Sequence, residues 1–194
     1  MSLDKKDRLN TSFVIFCGGK GTRLSEETIN KPKPMVEIGG MPILWHIMKS
    51  YSSYGFNRFI LALGYKGVYI KEFFYNYKIT GADFSLKMNP EYDIEYLNQS
   101  NEKNWEIIFV DTGEETLKGG RLKRVEKYIN NDTFHLTYGD GVCNVNLNKL
   151  AEFHKSHGCI GTVTAVRPPS RFGELQIDGL NNVIGLEEKP QMGK

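Results

Sequence analysis

Thr11-Ser12-Phe13-Val14-Ile15-Phe16-Cys17-Gly18-Gly19-Lys20-Gly21-Thr22-Arg23 is the stretch from which the fold is read. Thr11–Cys17 is a short apolar run cut off by glycines, the pattern of a strand buried on both faces. Working outward from it, Pro42 sits where a helix begins. Ile43, Leu44, Ile47, Met48, Tyr51 and Tyr54 follow at helical spacing, with Gly55 able to end the helix. Arg58–Leu63 is a second buried-strand candidate, and Val68–Tyr77 after Gly67 a second helix. Phe84–Met88 and Trp105–Val110 read as strands around a polar excursion or small hairpin, Asn89–Asn104. Arg121–Ile129 places Leu122, Val125 and Ile129 on one helical face. Phe134–Tyr138 is a strand, Leu147–His157 a helix stopped by Gly158, and Gly161–Val166 another strand. Leu175–Ile177 and Val183–Glu187 can pair across the turn residues Asp178–Asn182. Alternating strands and helices predict an α/β fold, a Rossmann-like, mostly parallel sheet with helices on both faces.

With 194 residues, 40% hydrophobic and 25% charged, the chain suits a domain with a sizeable core. The expected organisation is a disordered extension over 1–10 and one domain over 11–194. A net charge of +2 argues against a nucleic-acid binder that relies on a broad basic surface. The polar start lacks the apolar core of a signal peptide, and no run is long enough to span a bilayer, so no membrane partner and a cytoplasmic location are expected. Cys17, Cys143 and Cys159 form no Cys-x-x-Cys pair and read as structural or incidental thiols. His154 and His157 read as helix-surface residues rather than metal ligands.

Ligands of such sheets bind beyond the carboxyl ends of strands, and two unusual loops fall there. The first runs Gly18-Gly19-Lys20-Gly21-Thr22-Arg23 and on to Lys31-Pro32-Lys33-Pro34. Its glycines bring backbone amides close to a ligand, and such amides bind phosphate oxygens. Arg23 adds a planar donor fork and Lys33 a compact charge between prolines that limit the backbone. Lys20 and Lys31 extend the positive field. The loop lacks the Gly-Lys-Ser/Thr ending of a Walker loop and the three-glycine Rossmann spacing. The second loop, Gly139-Asp140-Gly141, puts a carboxylate after a strand, where it can hold magnesium. A further polar loop, Asp111-Thr112-Gly113 with Thr116 and Gly119-Gly120-Arg121, reads as a strand-to-helix turn. Lys123 and Arg124 read as solvated helix charges. Trp45 and Trp105 read as packing residues.

Gly18–Leu24 followed by Lys31–Met35 resembles the signature of the sugar nucleotidyltransferases, and the resemblance extends over the chain after Asn10. The tracts LSEETINKPKPMVEIGG (24–40), PILWHIM (42–48), GGRLKRV (119–125), TYGDG (137–141) and RFG (171–173) narrow it to the bacterial glucose-1-phosphate cytidylyltransferases. The resemblance implies a GT-A-like fold and transfer of a cytidylyl group from CTP to glucose 1-phosphate, for deoxysugar and O-antigen precursors. It implies Mg2+ as cofactor and a homo-oligomer. Thymidylyl, uridylyl and guanylyl transfer to another sugar phosphate stay open, as does a catalytically silent nucleotide-sugar-binding subunit.

By the same resemblance Phe16, Cys17, Gly18, Gly19, Lys20, Gly21, Thr22, Arg23 and Lys33 line the nucleotide site, with Thr116 and Arg121 near the nucleotide and Gly139 approaching it. Arg23 and Lys33 are the implied catalytic residues, and Asp140 the implied metal ligand. Lys189, in Glu188-Lys189-Pro190, contacts the sugar phosphate, and Arg171 and Gly173 lie on the sugar side. Relatives continue for several tens of residues past the position of Lys194, where a second metal-binding aspartate is expected.

Overall fold

The computed structural model describes residues 11–20, 31–90, 93–98, 104–168 and 171–189. The expected extension over 1–10, the loop residues Gly21, Thr22 and Arg23, and Pro190 lie outside the described residues. The chain divides into two compact units, residues 1–153 and 154–194.

In chain order the elements are β1 (Ser12–Cys17), β2 (Glu37–Ile38), β3 (Met41–Pro42), α1 (Ile43–Ser52), β4 (Arg58–Leu63), α2 (Gly67–Gly81), β5 (Phe84–Lys87), β6 (Asp93–Tyr96), β7 (Glu106–Asp111), α3 (Lys118–Val125), β8 (His135–Tyr138), α4 (Leu147–His157), β9 (Glu174–Ile177) and β10 (Val183–Glu187). Single 3-10 turns occupy Lys33–Met35 and Glu126–Tyr128.

In the first unit β7, β4, β1 and β8 form one sheet in that order, every neighbour parallel. The period of two along each strand sorts the core onto two faces. Phe13, Ile15 and Cys17 of β1 share a face with Phe59, Leu61 and Leu63 of β4, under Leu44, Ile47, Met48 and Tyr51 of α1, Ile70 of α2 and Leu147 of α4. Val14, Ile60, Ala62 and Val110 face the other way, under Val125 of α3. Phe13 and Phe59 are 2% and 0% exposed. Burying a side chain of that size contributes about 1.5–3 kcal/mol, so this aromatic layer anchors the sheet. Phe13 stacks on Tyr51 at 4.3 Å and on His135 of β8 at 4.4 Å.

This order positions the site. The chain winds from β1 outward through β4 to β7, then returns to lay β8 on the other edge of β1. The direction of winding reverses between β1 and β8, and in open α/β sheets the ligand crevice opens at that point, beyond the strands' carboxyl ends. The amino ends are closed off by Arg58. Its Nη1 donates to Ser12 Oγ at 2.6 Å and to the Tyr128 carbonyl at 2.8 Å, and its Nε pairs with Glu106 at 3.0 Å.

The elements meet some expectations and correct others. The Asn89–Asn104 excursion contains β6, which pairs antiparallel with β5 and makes a hairpin separate from the parallel sheet. The expected helix over Arg121–Ile129 starts earlier, at Lys118, and tightens into the 3-10 turn after Val125. In the second unit Gly161–Val166 is not a strand. Val163 and Val166 are 90% and 80% exposed, and among the described residues no neighbour pairs with this backbone. The hairpin of β9 and β10 forms as the turn residues predict, with Asp178 accepting from the amides of Leu180 and Asn182. His154 Nδ1 and His157 Nε2 lie 2.9 and 2.7 Å from the hydroxyl of Thr162.

Candidate active site

β1 ends at Cys17 and β8 at Tyr138, and the segment after each borders one crevice. The amide of Gly139 donates to the Phe16 carbonyl at 3.0 Å, continuing the ladder one step past β8. A Cβ on Gly139 would meet Cys17 Sγ at 2.9 Å and Pro34 Cγ at 3.1 Å. Glycine is therefore required for Asp140 to stand this close to the first loop. The 3-10 turn at Lys33–Met35 buries Pro34 and Met35, which holds the Lys33 backbone against the sheet end. As a result Lys33 Nζ lies 2.7 Å from Asp140 Oδ2, with the two side chains 30% and 36% exposed. A lysine and an aspartate 107 positions apart meet over the β1/β8 crevice.

The crevice encloses about 330 Å3. One wall is Phe16, Cys17, Gly18, Gly19 and Lys20; another is 114–118 with Arg121; Lys33, Pro34, Tyr138 and Asp140 complete it. Of the residues expected at the nucleotide, the structure gathers Phe16, Cys17, Gly18, Gly19, Lys20, Lys33, Thr116 and Arg121 in this lining, together with Asp140, the expected metal ligand, and with Gly139 beside them. Lys20 pairs across it with Glu115, which raises the lysine's pKa through that hydrogen bond. Lys31 lies 3.4 Å from Glu37. Burial pushes the Cys17 thiol well up, and Asp140 adds to the effect. This sulfur is therefore a neutral packing atom at the crevice floor.

Arg121, expected near the nucleotide, lines the crevice with its guanidinium already held by protein oxygens. It is 6% exposed. Nη1 donates to the Leu63 carbonyl at 3.0 Å and to Thr112 Oγ1 at 2.7 Å. Nη2 donates to the carbonyls of Gly18 at 3.0 Å and Glu114 at 2.9 Å. The guanidinium ties the carboxyl ends of β1 and β4 to the loop after β7. What it supplies to the crevice is the geometry of those loops. Burial and then the neighbouring Arg124 lower its pKa. Arg124, expected as a solvated helix charge, is exposed and also donates to the Thr112 carbonyl and to Thr116 Oγ1.

Sequence reasoning missed Tyr138, Lys118, Glu114 and Glu115 as lining residues. Lys118 Nζ lies 5.4 Å from the Tyr138 ring centroid. Tyr138 stands inside the TYGDG tract and Lys118 just before GGRLKRV, so adjacency to those tracts was the available signal. Among the described residues no cluster of three or more His, Cys, Asp or Glu could hold a metal ion by itself. Arg171, Gly173 and Lys189 belong to the second unit. Gly173 packs against Leu186 and Glu188, and Lys189, at φ 50°, follows β10.

A parallel sheet with a charged, glycine-walled crevice at its switch point is the setting in which open α/β proteins bind their ligands. Residues 12–194 match the family model described as nucleotidyl transferase, and the chain belongs to this family. It is 50% identical over 179 residues to glucose-1-phosphate cytidylyltransferase of Salmonella typhi, covering 92% of this chain and 68% of that enzyme. It is 47% identical over 165 residues to a probable glucose-1-phosphate cytidylyltransferase of Bacillus subtilis, covering 85% of this chain and 64% of that one. Among solved structures, HddC from Yersinia pseudotuberculosis complexed with GMP-PN superposes with a TM-score of 0.57 at 28% identity, over 93% of this chain and 71% of that one. A putative glucose-1-phosphate thymidylyltransferase from Bacillus anthracis shares the fold, with a TM-score of 0.55 at 15% identity over 92% of this chain and 64% of that one.

Proposed function

We propose that this protein transfers a cytidylyl group from CTP to α-D-glucose 1-phosphate, giving CDP-glucose and pyrophosphate. The choice of nucleotide and sugar rests on the 50% identity to the Salmonella enzyme of that name. The observation that carries the chemistry is the meeting of Lys33 and Asp140 at 2.7 Å over the crevice.

A phosphate oxygen of glucose 1-phosphate attacks the α-phosphorus of CTP in line, and the bond to the β-phosphate breaks. Both reactants are anions, so charge neutralisation and alignment dominate catalysis, and no side-chain nucleophile is needed. Amides of the loop beginning at Gly18 cradle the triphosphate. Lys33 neutralises charge near the α-phosphate, and Arg23 stabilises the departing pyrophosphate. Lys189 orients the acceptor phosphate, with Arg171 and Gly173 on the sugar side.

The residues present fit magnesium. It takes one or two carboxylates and completes its shell with water and substrate phosphates, and Asp140 offers one partly exposed carboxylate beside the phosphate loop. Asp140 would hold the ion, which when bound draws charge from the phosphates. A homo-oligomer acting in the cytoplasm on nucleotide-sugar precursors completes the reading. Among the described residues no helix is long and apolar enough to cross a membrane.

The test is pyrophosphate release from CTP, UTP, dTTP and GTP, each with glucose 1-phosphate and mannose 1-phosphate. CTP with glucose 1-phosphate should be fastest and should yield CDP-glucose. A faster rate with another pair would overturn the substrate choice, and ligand binding without release would favour a silent binding subunit.

A further inference from the structure

Among the described residues the crevice holds two lysine–carboxylate pairs, and the chemistry above explains only one. Lys33 meets Asp140, a carboxylate with a use of its own in holding a metal ion. Lys20 meets Glu115, which has no such use. This second pair joins opposite walls, since Lys20 follows β1 and Glu115 stands in the turn between β7 and α3. One atom pins both walls. Arg121 Nη2 donates to the Gly18 carbonyl at 3.0 Å, two residues before Lys20, and to the Glu114 carbonyl at 2.9 Å, one residue before Glu115. A buried guanidinium therefore sets the spacing at which ammonium and carboxylate touch. The side chains that span the gap are 47% and 81% exposed and can turn without moving the backbone. Glu115 acts on Lys20 through its hydrogen bond and its charge, and the charge of Glu114 adds to it. Two carboxylates are the wrong sign for a wall that faces a polyphosphate. The ammonium has three donors, but a phosphate that shared it with Glu115 would stand beside a like charge.

We propose that Glu115 is a positioning residue that competes with the incoming triphosphate for Lys20 and thereby loosens nucleotide affinity. The inference rests on reading the crevice as a nucleoside triphosphate site, and not on the choice of base. Phosphate oxygens, served also by the amides of the loop, take the ammonium, and Glu115 turns out to solvent while Arg121 keeps the walls in place. When the polyanion leaves, the carboxylate takes the lysine back.

The test is isothermal titration with CTP and with inorganic tripolyphosphate, in wild type, Glu115→Gln, Lys20→Met and the double variant. Glu115→Gln should tighten Kd for both ligands roughly two- to fivefold, the range of one exposed ion pair. A carboxylate with a merely structural role would weaken binding when removed. Lys20→Met should weaken both ligands. In that background Glu115→Gln should tighten binding by clearly less, because the two changes remove one interaction. Binding that is unchanged or weaker in Glu115→Gln would overturn the proposal. So would tightening with CTP alone, which puts the effect on the nucleoside, or tightening of full size in the Lys20→Met background, which makes Glu115 a direct repeller of phosphate. Wild type that binds neither ligand sinks the nucleotide reading as well, whereas wild type that binds CTP, with no tightening in Glu115→Gln, sinks only the role of Glu115.

Discussion

Gly18 and Gly19 are adjacent and identical, yet the structure gives them opposite sensitivities to a methyl group. A Cβ on Gly18 would lie 2.1 Å from Arg121 Nη1 and 2.4 Å from its Cζ. Ordinary contact begins at about 3.5 Å, so the overlap exceeds an ångström. Arg121 has no easy retreat, because its two terminal nitrogens hold four protein oxygens. Overpacking a tight site costs about 1–3 kcal/mol, and each hydrogen bond from a charged donor that breaks adds about 1.5–3 kcal/mol. Gly18→Ala should therefore destabilise the protein by about 3–6 kcal/mol. At roughly 2–4 °C per kcal/mol for a chain of this size, Tm should fall by roughly 6–24 °C. A Cβ on Gly19 meets nothing within 4 Å. Gly19→Ala should unfold within about 0.5 kcal/mol of wild type but raise KM for the nucleoside triphosphate, because its effect requires the ligand. Thermal melts of both variants and initial rates of Gly19→Ala are the assays. A Gly18→Ala melt within a degree or two of wild type would refute the view that Arg121 fills the space beneath that glycine.

Other outcomes follow from single residues. Arg58→Met should cost about 2–4 kcal/mol in urea unfolding, because it strands the fully buried Ser12 hydroxyl and the Tyr128 carbonyl, while kcat stays at the wild-type value; a loss below about 0.5 kcal/mol would contradict this. The buried Cys17 thiol should resist iodoacetamide in the native protein while exposed Cys143 and Cys159 react, as peptide mass mapping would show. Because burial raises the Cys17 pKa, its contribution to stability is complete below the unfolded thiol's value and is lost as pH rises past it. Cys17→Ala should flatten that alkaline fall in Tm, and an unchanged slope would reject it.

The two central strands of the parallel sheet, β1 and β4, were legible because they are buried on both faces. Within Arg58–Leu63 the five residues after Arg58 are all apolar, and the neighbouring segments carry helical spacing. Gly161–Val166 is rich in valine and threonine and so favours a strand, but strand formation needs a partner, and propensity does not report one. Arg121 shows the limit most clearly. An arginine within GGRLKRV reads as a surface charge or a ligand contact. Its burial depends on Gly18, 103 positions away, and on a carbonyl of β4, neither of which any local pattern connects to it. Arg124 is exposed as a helix charge is expected to be, and it also donates to Thr112 and Thr116 across the preceding turn. Lys33 and Asp140 could each be singled out from its loop, but their meeting follows from the order β7, β4, β1, β8, which brings the last strand beside the first.

The central claim is that Lys33, set against Asp140 at the β1/β8 crevice, neutralises charge during cytidylyl transfer. The direct measurement is steady-state pyrophosphate release from CTP and glucose 1-phosphate by Lys33→Ala beside wild type, with folding checked by thermal melting. The account expects kcat to fall by about 10²–10³-fold, the scale of losing one preorganised electrostatic donor. A folded Lys33→Ala protein that turns over at the wild-type rate would contradict it.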